Sequence, residues 1–304
     1  MEARKVLCFG SLNIDYTYTV SHLVGRGETL SAEGRQMFCG GKGLNQSVAL
    51  SRAGLDVSLA GAIGEDGRFL LEQLGRVGVD TRHVAVLEEV CTGHAIIQND
   101  PAGDNCILVF GGANHCTTRE QAERALADFR AGDLLVLQNE INELAYLLCA
   151  AREKGMAVAL TPAPLTEELR RLPLHCVDWL FLNEVEGAQL LDGEIDPERE
   201  PVQAARELRR RYGVGAVILT LGEQGSVYAD GETAHVQAAF PVRAVDTTGA
   251  GDTYMGYFLA GCHEGFSIPQ TMRYASRAAA IAVTRPGASP AIPARAEVLE
   301  ALEE

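Results

Sequence analysis

The sequence predicts an α/β fold: a doubly wound, mostly parallel sheet with helices on both faces, plus a small β-sheet lid. Three observations lead there. Short apolar runs of strand length alternate with segments of helical period along most of the chain. Those runs are apolar throughout, as strands covered on both faces are. Two segments, 12–38 and 91–110, break the alternation and are β-rich without a helical period. The expected division is a large α/β domain over 1–11, 39–90 and 111–304, with the lid over 12–38 and 91–110. No internal repeat or low-complexity stretch cuts across it.

In chain order, KVLCFG opens the series as a buried strand, and IDYTYTV alternates in the manner of a lid strand. A helix is expected over 43–53, followed by the strand DVSLAGAIG. HAIIQ and CILVF flank the turn NDPAGDN and complete the lid. The next helix, 117–130, opens on TTRE, which has the form of a capping box with Thr117 as its cap. LLVLQ is a strand, 141–154 a helix with Gly155 as its C-cap, and AVAL and WLFLN are strands. The helix 203–212, the strand AVILTLG and the helices 250–263 and 269–284 close the list. Strand and helix in turn give a parallel sheet, whose ligands bind at the carboxyl ends of its strands.

The 304 residues are 47% hydrophobic, enough for one large core or two small ones. A formal net charge of −15 argues against nucleic acid or an anionic membrane as partner. A polyanion such as ATP would need backbone amides, a helix N-terminus or a metal ion. Lysine supplies little help, since Lys5, Lys42 and Lys154 are the only ones. The eight cysteines include no C-x-x-C and no zinc spacing with histidine. With no apolar run of signal-peptide or membrane-spanning length, the expectation is a soluble cytoplasmic protein with reduced thiols.

FCGGKGLNQS, 38–47, looks like a phosphate loop but is not the Walker form. Gln36 stands where its first glycine belongs, and Gly43 follows Lys42 in place of Ser or Thr. DTTGAGDTYMG, 246–256, can present the amides of Gly249, Ala250 and Gly251 to an anion at a helix start, with Asp252 in the first turn. It can equally be a glycine turn with a carboxylate stabilising the helix. NEVE, 183–186, follows a strand and reads as a helix cap or as a contact to hydrated Mg²⁺ or phosphate. LGEQG, 221–225, either reverses the chain or lets a flat nucleotide approach the backbone. Asn13, Asp15, Lys42, Asn45 and Glu140 lie near strand ends as solvated loop residues or as amides and carboxylates suited to a polyhydroxyl ligand.

Together GSLNID, GGKGLNQSVALSRAG, LTPAP, NEVE, LTLGEQG, VDTTGAGDTYMG and AIAVTRPGASPAIP resemble the ribokinase-like superfamily of sugar and nucleoside kinases, in family order and over nearly the whole chain. The resemblance implies ATP-dependent phosphorylation of the 5-hydroxyl of D-ribose. The alternative acceptors are another pentose, a hexose or a nucleoside. It makes Gly40–Gly41 the hinge of the lid and assigns Asn13, Asp15, Gly41, Lys42, Asn45 and Glu140 to the sugar. Asn183 and Glu186 would serve the Mg²⁺-nucleotide; Thr220, Gly222, Gly225, Gly251 and Ser276 would surround it. Gly249, Ala250 and Gly251 would form the anion hole, and Asp252 would be the catalytic base. A monovalent cation, K⁺, would sit at Asp246, Thr248, Ala282, Arg285 and Gly287. Two lids would clasp in a homodimer. The chain departs from the family at Ala291, where a serine hydroxyl often adds to the cation site, at Thr161, usually Asn, and at His94, usually small and apolar. Strand alternation turns His94 away from the face of Ala95.

Overall fold

The computed structural model describes residues 5–303. The large sheet contains β1 (Lys5–Phe9), β4 (Asp56–Gly64), β5 (Asp80–Leu87), β8 (Leu134–Gln138), β9 (Ala157–Thr161), β10 (Trp179–Asn183), β11 (Ala216–Thr220), β12 (Ser226–Ala229) and β13 (Ala234–Gln237). Its order is β13-β12-β11-β10-β9-β8-β1-β4-β5. The strands from β11 to β5 pair in parallel, and β12 and β13 add an antiparallel hairpin at one edge. A second sheet, in the order β3-β2-β6-β7, holds β2 (Asn13–Thr19), β3 (Gly34–Gly40), β6 (Gly93–Asn99) and β7 (Asn105–Phe110). Here β3 runs to Gly40, past the expected boundary at 38.

Alternation along each buried strand builds two cores. Leu7, Phe9, Leu135, Leu137, Val158 and Leu160 point to one side, against α3 (Arg119–Ala127), α4 (Leu144–Glu153) and α6 (Pro201–Tyr212). Val6, Cys8, Val136 and Ala159 point to the other, against α1 (Lys42–Arg52), α2 (Arg68–Arg76), α7 (Ala250–His263), α8 (Ile268–Ala282) and α9 (Arg295–Glu303). A short helix, α5 (Glu184–Leu190), directly follows β10. No helix among the described residues is long and apolar enough to cross a membrane.

Two helices, α3 and α4, start later than expected. Thr118, not Thr117, caps α3: its side chain accepts from the Gln121 amide, so TTRE is no capping box. The helix expected from 141 starts at Leu144, because residues 139–143 are spent turning out of β8 and Glu143 takes a left-handed conformation. At the far end α4 stops at Glu153, with Gly155 two residues on at φ 73°.

Candidate active site

The residues expected to hold a sugar converge where α1 meets the end of β1. Gly41, at φ 91°, starts α1, and a Cβ there would stand 2.8 Å from the Ser11 carbonyl oxygen and 2.9 Å from the Asn13 amide nitrogen. A Cβ on Gly43 would come within 2.6 Å of the Gly10 carbonyl carbon. The glycines of FCGGKGLNQS therefore bring the helix backbone against GSLNID. A side chain on Gly40, which pairs with Asn13 across β3 and β2, would run into the carboxylate of Asp15 two residues along β2.

Glu140, just past β8, ties these pieces together. It accepts from the Lys42 amide at 3.1 Å and from the Ser11 hydroxyl, and it lies 3.8 Å from the Lys42 ammonium. Asn13 accepts from the Asn114 side chain at 2.7 Å, and Asn114 also accepts from the Leu12 amide. Burial works against the Lys42 charge, but Asp252, Glu140, Glu186 and Asp15 outweigh it and hold its pKa above the ordinary value. Asp15 is pushed up to about 6 by burial and by Glu140, with Lys42 opposing.

The amino end of α7 lies beside α1. Asp252 does not cap its own helix. Its Oδ1 accepts from Gln46 Nε2 at 2.9 Å and its Oδ2 from Asn45 Nδ2 at 3.3 Å. The carboxylate is deep in the protein, yet the residue keeps some surface open to solvent. Burial raises its pKa, while Lys42 and the two amide donors pull it back. Gly249 precedes the helix at φ 74°. The Ala250 amide is occupied by the Thr247 carbonyl at 3.2 Å. Gly251 lies in the first turn, whose N–H groups a helix leaves unpaired.

Beyond Gly251 opens a cavity of about 530 Å³ at the end of β11, in the size range of small-molecule sites. Thr220, Gly222, Gly225, Ala250, Gly251 and Ser276 line it, with Phe240 and Val283 among its apolar walls. LGEQG thus both reverses the chain from β11 to β12 and shapes the cavity. Asn183 and Glu186 lie outside it and form a full capping box on α5. Asn183 Oδ1 accepts from the Glu186 amide at 2.8 Å, and Glu186 Oε2 accepts from the Asn183 amide at 3.0 Å. Burial raises the Glu186 pKa, against the Asn183 amide and Lys42.

Asp246 accepts from the Thr248 amide at 2.9 Å and from the Gly287 amide at 2.8 Å, which draws 245–248 to 283–287. Burial opposes its charge, but these donors keep its pKa below the usual carboxylate value. The Ala282 carbonyl accepts from the Arg285 amide, and the Arg285 guanidinium pairs with Glu297. Both Asp246 oxygens and the Ala282 carbonyl are thus engaged by backbone amides. No cluster of three His, Cys, Asp or Glu side chains suited to a metal occurs among the described residues. Ala291 is buried and offers no hydroxyl.

His94 pairs with Ile14 and lies on the face opposite Asp15 and Ala95, with its ring near Tyr16 (6.1 Å) and Phe110 (5.3 Å). Sequence reasoning passed over Ser11, Gln46, Asn114 and Gln138. The only signal was a polar residue at the end of an otherwise apolar strand, LLVLQ.

The pfkB family carbohydrate kinase profile matches residues 3–295. The chain is 35% identical to a ribokinase of Haemophilus influenzae, over 99% of each protein. It is 30% identical to a deoxyribokinase of Salmonella typhi, over 95% of each. A structure of Arabidopsis thaliana ribokinase complexed with ribose and ATP superposes with a TM-score of 0.87 at 31% identity, over 99% of both chains.

Proposed function

The chain belongs to the pfkB family of carbohydrate kinases, and from that premise we propose that it transfers the γ-phosphoryl group of ATP to the 5-hydroxyl of D-ribose, giving D-ribose 5-phosphate. It is a phosphotransferase with an alcohol group as acceptor. Full-length similarity to ribokinases, one of them solved with ribose and ATP, supports ribose over other acceptors.

The observation that carries the reading is the place of Asp252. Gly251 lines the large cavity, and Asp252, next in the chain, faces α1 and the cluster around Lys42. The two ligands would therefore meet at this residue. Asp252 accepts the proton of the attacking hydroxyl, which makes a poor nucleophile competent. The turn at Gly249, Ala250 and Gly251, with the helix dipole, takes up charge on the transferring group. Gly251 is the better amide donor, since that of Ala250 already has a partner.

Asn13, Asp15, Gly40, Gly41, Lys42, Asn45 and Glu140 hold the sugar. The small sheet, over 12–38 and 91–110, closes on it about Gly40–Gly41 and excludes water. Thr220, Gly222, Gly225 and Ser276 surround the nucleotide. Asn183 and Glu186 hold its Mg²⁺ through water, one Glu186 oxygen being outside the capping box. Mg²⁺ neutralises phosphate charge when bound. Asp246, Thr248, Ala282, Arg285 and Gly287 hold K⁺ beside the anion hole. The protein works as a homodimer in the cytoplasm, in keeping with its eight free thiols.

A coupled ADP-release assay over ribose, 2-deoxyribose, hexoses and nucleosides tests the assignment. The expected result is the highest kcat/KM with ribose. Faster turnover of deoxyribose or of a nucleoside would replace ribose as the substrate.

A further inference from the structure

We propose that Gln46 is a positioning residue for phosphoryl transfer: it pins Asp252 Oδ1 so that Oδ2 meets the acceptor hydroxyl, and Gln138 fixes which way the Gln46 amide points. The inference rests on Asp252 being the base.

The two oxygens of Asp252 are held differently. Asn45 Nδ2 reaches Oδ2 at 3.3 Å, and Asn45 Oδ1 is buried with no hydrogen-bond partner. Asn45 is thus free to turn to a sugar hydroxyl, which leaves Oδ2 open. Gln46 is satisfied at both ends. Its Nε2 donates to Asp252 Oδ1 at 2.9 Å and to Thr161 Oγ1 at 3.2 Å, and its Oε1 accepts from Gln138 Nε2 at 2.7 Å. Thr161 can accept because its own proton goes to Met255 Sδ at 3.3 Å.

An amide has a donor end and an acceptor end. Turned over, Gln46 would put an oxygen against the carboxylate and an N–H₂ against that of Gln138. Gln138 is fully buried at the end of β8, and its Nε2 also approaches Cys8 Sγ at 3.5 Å. The run of donors therefore points one way, from β8 through α1 to the carboxylate on α7.

Gln138 carries a cost that packing alone does not justify. Its Oε1 is buried without a partner, in space left open by Gly10. A buried unsatisfied acceptor is destabilising, and an apolar residue would complete LLVLQ without it. The donor that Gln138 gives to Gln46, at 2.7 Å against 3.5 Å to Cys8 Sγ, is the stronger contact that an amide makes there.

The charged and titratable groups around Asp252 are Lys42 on α1, Glu140 after β8, Glu186 on α5 and the Cys8 thiol on β1. None replaces the Gln46 hydrogen bond. Gln46→Met keeps the volume and removes the donor. Its kcat should fall about 10–100-fold, a share of the ~10²–10⁴ that a positioned base supplies. Sugar KM should stay within about threefold, because only the transition state uses the lost interaction. The acid limb of kcat/KM should move up by about one pH unit, since the substitution removes a hydrogen bond to the ionised form. Gln138→Met, which leaves Gln46 in place, should lower kcat several-fold while the melting temperature stays or rises. The double variant should lose no more than Gln46→Met alone.

Parent-like kcat and an unmoved acid limb in Gln46→Met would overturn the proposal. If that variant does not fold, Gln138→Met decides, and an unchanged kcat there overturns it. Asp252→Asn separates this inference from its premise. An inactive Asp252→Asn beside a fully active Gln46→Met sinks the inference alone, while an active Asp252→Asn sinks both.

Discussion

Asp15 shows what burying a carboxylate costs at the level of a single residue. Burial and the nearby Glu140 push its carboxyl up to about 6, so the folded protein holds a charge there at neutral pH against its surroundings. The sign follows by linkage. A group whose pKa is raised in the folded state adds stability below its unfolded value and loses it as pH rises through the folded value. Asp15→Asn should therefore stabilise the protein above about pH 6, by up to ~3 kcal/mol for a shift near two units, and the gain should fade towards pH 4. Sugar affinity should fall in the same variant. Melting curves over pH 4–8, with sugar titrations, check both. A gain independent of pH would mean that the Asp15 charge is not the source. Residues of this kind were legible as types and positions, since GSLNID and GGKGLNQ carry them. Their partners were not. Asn114 and Gln138 reach Asn13 and Gln46 from 101 and 92 residues away through side-chain hydrogen bonds that leave no periodicity in the sequence.

The elements that place Asp252 are α1 and α7, which cross at Gly256. A Cβ there would stand 2.5 Å from Ala49 Cβ and 2.9 Å from the Ala49 carbonyl carbon. One turn back along each helix lie Gln46 and Asp252, so the close crossing sets their hydrogen bond. Gly256→Val should force the helices apart, at about 1–3 kcal/mol of stability. It should lower kcat by up to ~10²-fold, the effect of a shift near 1 Å on a positioned group. A folded variant with parent kcat would show that the helix spacing does not position the base. Both helices were readable, α7 to the residue, because long apolar stretches between glycine signals are strong patterns. The α2 segment RFLLEQLGR was not anticipated, although Leu70 and Leu74 lie one turn apart. The hairpin of β12 and β13 was passed over although Asp230-Gly231 marks its turn, because four-residue strands give little alternation to count. The last helix, α9, buries only Val298 and so has almost no amphipathic signal.

On the scale of the whole molecule, the small sheet ends in a strand with no cover. Ile107, Leu108, Val109 and Phe110 of β7 are 54%, 66%, 59% and 53% exposed, so both faces and the free edge of one strand meet solvent. An apolar edge strand of this length invites pairing with another chain. Phe110 pairs with His94, and Val109 with Ala95 on the face of Asp15, so a partner gripping β7 would contact both sides of the sheet. That geometry favours a second copy of the same sheet, crossing so that each edge covers the other. A stable interface needs to bury about 1,000 Å² or more, which requires neighbours such as Met37 and Ile96, also exposed, to be covered as well. The parent protein should thus be a dimer by light scattering at micromolar concentration. Leu108→Glu places a charge at the most exposed of these positions and should shift the protein to monomer, while the core below is untouched. If the small sheet closes on the sugar as proposed, sugar KM should rise in that variant more than kcat falls, because the sheet loses its outer support while Asp252 and α7 keep theirs. A parent that is monomeric at every concentration tested, or a Leu108→Glu variant that remains dimeric, would rule out assembly through this strand.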